Sequence, residues 1–225
     1  MTTFKLKFLA LAVGGSLLAT GCLSMPGVGV GVTGGTTGVA AEVKANPLPS
    51  SMLLVRGSYN FAEFSGDIES DGIQYDGDFT LSNLGAFADF APFGGPFYLS
   101  GGAYVGDKSA DLVATPASDV VIGGTSFTPA EVGSLIGKAE FNDVAPYVGV
   151  AFDNFANSIG GWSFNARAGV MFVGSAEVDL TSANGLLSSD PALLTELREE
   201  IQSIEDDAAD YKYFPVLTLG IARRF

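Results

Sequence analysis

The last fifteen residues, 211–225, alternate between two kinds of side chain and end on an aromatic residue without a polar tail. One face of such a strand would be apolar, with Tyr213, Pro215, Leu217, Leu219 and Ile221. The other would be mostly small or polar, with Phe214, Val216, Thr218, Gly220, Ala222 and Arg224. This pattern is typical of the closing strand of an outer-membrane β-barrel, although the segment alone also fits an edge strand of a soluble β-sandwich. Arg223 stands where barrel strands usually carry a tyrosine, and its guanidinium can reach the headgroups.

The N-terminus has the pattern of a secretory signal peptide covering residues 1–21. A basic start precedes an apolar run, 8–19, that is too short to span a bilayer. The small residues before Cys22 suit ordinary signal peptidase, whereas 18–22 resembles a bacterial lipobox. Both cleavage chemistries remain open, and Cys22 is the lipidation candidate. With one cysteine, the fold has no intramolecular disulfide.

Composition restricts the function classes. Removal of the signal leaves 9 basic and 25 acidic residues, a net charge of −16 against −14 for the whole chain, which disfavours nucleic-acid binding. Thirty glycines, 11% aromatic and 47% hydrophobic residues are typical of close-packed strands with aromatic girdles. Beyond the signal, no run of about 18 apolar residues occurs, so a membrane-spanning role would need a closed barrel.

Further alternating segments have lengths suited to tilted membrane strands. They cover residues 51–64, 97–105, 144–152 and 162–173. Between residues 75 and 90 the apolar parity changes, which predicts a bulge near Ser82 and Asn83. The segment 26–43 is predicted to form a first hairpin, because an even strand number requires it to supply two strands.

The connectors are of two lengths, as in outer-membrane barrels, which have short periplasmic turns and long external loops. The short ones are 46–50, 92–96 and 153–161; the long ones are 65–72, 115–137 and 181–210. The last loop contains a predicted helix with Asp190 as N-cap and Pro191 at the first position. Its apolar side favours a lid packed on the barrel mouth, and its acidic side suggests a gate or a cation-attracting vestibule. The lid residues are Leu193, Leu197, Ile201 and Ile204.

Five charged residues are predicted to point into the lumen by strand parity, mostly in its periplasmic half: Glu42, Arg56, Asp89, Arg167 and Arg224. Opposite charges in a narrow interior should pair, since an unpaired buried charge is costly. Two interpretations follow. The cluster is a salt-bridge network that plugs the barrel, or it is a constriction that selects solutes.

Catalysis is not expected. The chain has no histidine, which removes the commonest acid/base group and metal ligand. The acidic stretches 67–71 and 76–78 lack the spacing of a calcium loop, so we predict solvated acidic loops, without a metal or cofactor.

Several stretches together resemble a known family: Tyr75-Asp-Gly-Asp-Phe79, Ala88 to Gly95, Ala145 to Gly149, Gly169 to Gly174, and the acidic helix leading into Tyr213 to Val216. They are similar to the small outer-membrane barrels related to the ornithine-uptake, carbapenem-resistance-associated porins (CarO) of Gram-negative bacteria. The resemblance covers roughly residues 26–225. It implies an eight-stranded barrel, with small basic amino acids as a candidate solute class. Cys22 and the terminal Arg-Arg-Phe depart from the family pattern.

We therefore predict an exported, eight-stranded antiparallel up-and-down β-barrel of the outer membrane over 26–225, with one amphipathic helix in the last extracellular loop. The predicted function is a narrow, non-enzymatic channel for small, cationic solutes. The alternatives are a non-conducting structural or surface-interaction barrel and a lipid-tethered soluble β-barrel binder. Expected partners are outer-membrane lipid, lipopolysaccharide and the barrel-assembly machinery, for which Phe225 is the insertion signal.

Overall fold

A computed structural model describes residues 27–47, 52–70, 73–158, 161–208 and 212–225. The predicted signal peptide and Cys22 lie outside the described residues, so both stay predictions.

Eight antiparallel strands hydrogen-bond to one another in a closed ring. The ring strands are β1 (Val28–Gly35), β2 (Gly38–Ala45), β3 (Leu53–Ser70), β4 (Ile73–Phe90), β5 (Phe97–Pro116), β9 (Val144–Asp153), β10 (Trp162–Phe172) and β12 (Tyr213–Arg224). Closure is made by β1 against β12, with Gly29 opposite Arg224, and by β5 against β9, with Phe97 opposite Phe152. The predicted eight-stranded barrel is confirmed, and the predicted first hairpin is β1 and β2.

The two ends of the barrel differ. The chain terminus lies at one end, called here the short-turn end, together with the described residues of the connectors between β2 and β3, between β4 and β5, and between β9 and β10. The opposite end carries the remaining elements and is called the long-loop end. These elements are β6 (Val120–Ile122), β7 (Thr125–Phe127), α1 (Pro129–Val132), β8 (Gly133–Glu140), β11 (Glu177–Asn184) and α2 (Pro191–Ala208).

The sheet continues past the ring at the long-loop end. Strand β5 pairs with β9 as far as Val105, and from Ser109 onward it pairs with β8, which in turn pairs with β11. Together with the outer parts of β3 and β4, these strands form a five-stranded sheet, called here the extension. The prediction of three long loops is therefore partly wrong, because residues within 65–72, 115–137 and 181–210 belong to the strands of the extension.

The bulge predicted near Ser82 and Asn83 is absent from the described strands. Ser82 lies opposite Phe61 and Asn83 opposite Asn60 in an unbroken β3–β4 register. The change of parity has another cause: Leu81 points inward and joins an apolar interior cluster. Along β4 the inner face changes from the charged Asp89 near the short-turn end to the apolar Leu81 towards the long-loop end, so the polarity pattern inverts while the strand stays regular.

The outer face of the ring is apolar, as lipid contact requires. Exposed side chains cover it on every ring strand, among them Val32, Val39, Val55, Leu84, Leu99, Val148, Phe164 and Leu219. Near the short-turn end, the Arg223 guanidinium lies 5.4 Å from the centre of the Trp162 ring, an arrangement suited to a membrane interface. Among the described helices, none is both long and apolar enough to cross a membrane.

Helix α2 belongs to the extension. As predicted, Asp190 caps it, accepting a hydrogen bond from the Ala192 amide at 2.8 Å, and Pro191 is its first residue. Its buried Leu193 and Leu197 pack with β6, β7 and α1, not with the ring. This gives the long-loop end a small apolar core of its own.

Candidate functional site: a charge cluster in the lumen

Six charged side chains meet inside the ring, and each of them is at most 4% exposed. This group, called here the lumenal cluster, consists of Glu42, Lys44, Arg56, Asp89, Asp153 and Arg167. Alternation along each strand places them inside, since successive side chains point to opposite faces. Three cations and three anions make the cluster electrically neutral.

Glu42 is the centre of the cluster. Its Oε1 lies 3.0 Å from Nη2 of Arg167 and 3.3 Å from Nζ of Lys44, and its Oε2 lies 3.4 Å from Nη1 of Arg56. One carboxylate from β2 therefore contacts all three cations.

Two further carboxylates flank this centre. Asp153, at the end of β9, accepts from Lys44 Nζ at 2.5 Å and from Arg167 Nη2 at 3.1 Å on the same Oδ2. Asp89, in β4, accepts from Arg56 Nε at 2.6 Å and from the Ser100 hydroxyl at 2.5 Å. Every carboxylate of the lumenal cluster is thereby bonded to at least one cation.

The pairing of β2 with β3 explains why the lumenal cluster needs carboxylates. Lys44 and Arg56 lie directly opposite each other on β2 and β3, and facing like charges destabilise a sheet. Asp89 and Ser100 are opposite each other on β4 and β5, within reach of Arg56. Because burial removes hydration from each ion, the cluster is tolerated only while all charges are compensated.

Aromatic and apolar layers seal the cluster on both sides. Towards the long-loop end, the Arg56 guanidinium lies 3.9 Å from the Phe87 ring centre, and Phe87 packs edge-to-face on Tyr104 and Tyr147. Towards the short-turn end lies a second buried layer that contains Leu54 and Phe155. The charges therefore occupy a closed compartment.

Little free volume remains beside the cluster. A cavity of about 10 Å³ is lined by Glu42, Arg56, Tyr147 and Arg167, among others, which is room for about one water molecule. Arg167 Nε is buried there without a protein partner, so a bound water has a donor to accept from. In this conformation, side chains block the passage of a solute at this level.

Comparisons with known proteins bear on the fold. No protein-family model matches the chain, and no curated protein matches it. The crystal structure of Acinetobacter baumannii CarO2 superposes with a TM-score of 0.60 at 23% identity, covering 89% of this chain and 99% of that one. The crystal structure of A. baumannii CarO gives 0.58 at 23% identity, covering 88% and 98%.

The chain has the CarO fold. The resemblance predicted from the sequence is thus confirmed for the barrel and the order of its elements. At 23% identity, the likeness to the CarO structures establishes the fold alone.

Within this CarO-like barrel, four of the five predicted lumenal residues come together: Glu42, Arg56, Asp89 and Arg167. Arg224 lies apart, since its Nη1 donates to the backbone oxygens of Ala156 at 2.6 Å and Phe155 at 3.4 Å. It occupies an inward position by strand parity, but it lies at the very end of β12, beyond the charged layer. It fastens the last turn at the short-turn end instead of joining the cluster.

Two members of the lumenal cluster, Lys44 and Asp153, were not predicted. Lys44 follows Glu42 by two residues, so the parity argument used for Glu42 also applies to Lys44. Asp153 follows the inward-facing Tyr147 and Ala151 at even spacing, but the strand was taken to end before it. Strand ends are the least certain part of such an assignment.

The predicted lid residues occupy the extension. Leu193 and Leu197 are buried in its core, Ile201 is half-buried, and Ile204 is exposed. Carboxylates of α2 also hold it there, because Glu205 accepts from the Val178 amide at 3.0 Å and Glu200 from the Gly123 amide at 3.1 Å. The helix covers the edge of β11 and part of β6.

The remaining predicted site features concern insertion and metals. The Phe225 amide donates to the Val28 carbonyl at 2.9 Å, which ties the last residue to the ring while its side chain stays exposed. In the part of the chain that the structure describes, no group of three or more candidate ligands could hold a metal ion.

Proposed function

We propose that this protein is an outer-membrane β-barrel whose lumen is closed by the lumenal cluster, and that it acts as a structural or surface-interaction barrel. The apolar outer face of the ring supports a membrane location, and the CarO fold supports the barrel type. The predicted signal peptide supports export to the outer membrane of a Gram-negative bacterium. Phe225 is the proposed signal for the barrel-assembly machinery, and Cys22 is the proposed lipidation site.

The observation that carries this proposal is the compensated burial of six charges. Eight strands leave an interior that side chains can fill, and here a neutral network fills it. A solute would have to break several ion pairs at once, because Glu42 alone contacts three cations.

Planar-bilayer recording of the purified full chain tests closure of the lumen. The unmodified protein is expected to insert without steady conductance. The pair Arg56→Ser and Asp89→Ser removes one complete ion pair and much side-chain volume without changing the net charge, and it should open a measurable conductance. The matched control is Lys138→Ser with Glu140→Ser, which removes an exposed pair on the extension and should leave the barrel silent. A steady conductance of the unmodified protein would contradict the proposal.

A second candidate, a narrow channel for small cationic solutes, is favoured by the distribution of acids. Of the 25 acidic residues, all but Glu42, Asp89 and Asp153 belong to 61–82, 107–143 and 175–212. The described residues of these ranges contribute most of the long-loop end, where the field of their carboxylates would concentrate cations. Small basic amino acids remain the proposed solutes. This function requires the lumenal cluster to rearrange.

Liposome swelling separates the two candidates. Vesicles containing the protein should swell in ornithine or lysine no faster than protein-free vesicles if the lumen stays closed. Faster swelling that is lost on replacement of Arg167 by methionine would favour the channel.

A further inference from the structure

We propose that a groove on the extension binds a small organic cation by its apolar body. The groove has a volume of about 480 Å³, within the range of small-ligand sites. It lies on the inner face of the extension, which continues the inner face of the ring, and Ile204 of α2 borders it. It is separate from the lumenal cluster, so the inference goes beyond the proposed function and holds whether or not the barrel conducts.

The floor of the groove follows one row of paired residues across five strands. Along this row each residue lies opposite the next, in the order Gly66, Gly77, Leu112, Gly137 and Leu180. Three of these five residues lack a side chain. The two leucines and Ile204 leave an apolar depression between them.

The backbone would accept a side chain at Gly77 and at Gly137, the two glycines on either side of Leu112. A Cβ atom built on Gly77 would come no closer than 3.5 Å to another residue, and one on Gly137 no closer than 3.7 Å, both ordinary contacts. Neither residue has a positive φ. By contrast, a Cβ on Gly102 inside the ring would approach the Ala86 oxygen to 2.2 Å. Side chains at Gly77 and Gly137 would therefore fit the fold and fill the groove.

The charge around the groove selects the class of ligand. Among the described side chains of residues 61–82, 107–143 and 175–212, 17 are acidic and four are basic. The one basic residue that borders the groove, Lys138, is paired with Glu140 at 2.5 Å. An apolar molecule with an amine is thus attracted by the field of the extension, whereas an anionic amphiphile such as a fatty acid is repelled. An uncharged apolar molecule would make the same apolar contacts with the groove but would not be attracted by the acidic residues.

Fluorescence titration with dansylcadaverine tests the site, because this probe joins an aromatic body to a primary amine. The full chain is placed in nanodiscs, and the signal of empty nanodiscs is subtracted. We expect saturable binding that weakens with added salt, and weaker binding of the N-acetylated, uncharged probe. Gly137→Leu should weaken binding by about tenfold or more, because its side chain occupies the volume of the ligand.

The matched control is Gly101→Leu, the same change at a position with open space in the ring wall, and it should bind as the unmodified protein does. Gly77→Leu gives a second test of the groove, and heat-modifiable mobility shows that each variant is folded. Equal affinity in folded Gly137→Leu and Gly77→Leu, or equal affinity for the charged and acetylated probes, would overturn the proposal. So would a co-purified acyl lipid in the groove, detected by native mass spectrometry and lost in Gly137→Leu.

Discussion

Lys44 Nζ lies 2.5 Å from Asp153 Oδ2 inside the barrel, the same distance that separates Lys138 Nζ from Glu140 Oε1 on the exposed extension. The two pairs differ in burial: the first is at most 1% exposed, the second about half exposed. Lys44 has in addition a second carboxylate, Glu42, at 3.3 Å, so the two lysines differ in burial and in the number of anions that they compensate.

We expect Lys44→Met to lower the free energy of unfolding by about 3–5 kcal/mol, because it leaves buried carboxylates under-compensated. Lys138→Met should change it by about 1 kcal/mol or less. Combining Lys44→Met with Asp153→Asn should recover part of the loss, since the uncompensated charge is then removed. Urea unfolding in lipid vesicles measures all three. Equal effects of the two lysine substitutions would show that the lumen is hydrated.

The neighbouring glycines Gly101 and Gly102 should respond oppositely to alanine. At Gly102, which faces the lumen, a methyl group would meet the Ala86 oxygen and the Phe87 ring, and the resulting overpacking should lower the free energy of unfolding by about 1–3 kcal/mol. At Gly101, which faces outward, nothing lies within 4 Å. Gly101→Ala should leave the unfolding midpoint unchanged or raise it slightly. A comparable loss in both variants would contradict the packing described for Phe87.

The core of the extension should unfold separately from the ring. Leu197 is 2% exposed and packs with Val132 and Leu193, so Leu197→Ala should destabilise this core by about 2–5 kcal/mol. Leu194, at 37% exposure on the same helix, provides the control. Hydrogen exchange of α2 amides should speed up in Leu197→Ala only, while ring amides keep their protection. Loss of protection in the ring would mean that the two cores form one cooperative unit.

The start of α1 should depend on pH through Glu131. Hydrogen bonds from the Thr128 amide and hydroxyl, each 2.8 Å, lower the pKa of the Glu131 carboxyl. A lowered pKa means that the capping interaction is fully present above the ordinary carboxyl pKa and is lost as the pH falls through the lowered value. Hydrogen exchange at Thr128 should therefore be slower than in Glu131→Gln at neutral pH. The difference should vanish in acid, and a difference that persists there would exclude the carboxylate as its cause.

The barrel could be predicted because its strands obey a simple local rule. Alternation placed Glu42, Arg56, Asp89 and Arg167 on the inner face, and the cost of burying unpaired charge indicated that they would meet. The same rule places Lys44 inside, so this residue was accessible to sequence reasoning although it was not named.

The extension could not be predicted in the same way. Strands β8 and β11 are eight residues long and mix glycine, charged and apolar residues without strict alternation. Strand β8 pairs on one side with the outer half of the 20-residue β5 and on the other side with β11, which lies far along the chain. Pairing of this kind is decided by which neighbours are present, and a single sequence does not show that. The bulge predicted near Ser82 and Asn83 was wrong for a related reason. Leu81 points inward because it packs against residues from distant strands, and the sequence does not show those contacts.

Strands β3, β4 and β5 run from the ring into the extension without interruption. A force applied to the extension along its strands is thus carried into the wall of the ring, where the backbone hydrogen bonds stand perpendicular to the strands and are loaded together in shear. A molecule bound to the extension would pull on continuous β-strands, not on a flexible connection between two units. The extension therefore transmits tension directly to the ring and resists being peeled away from it.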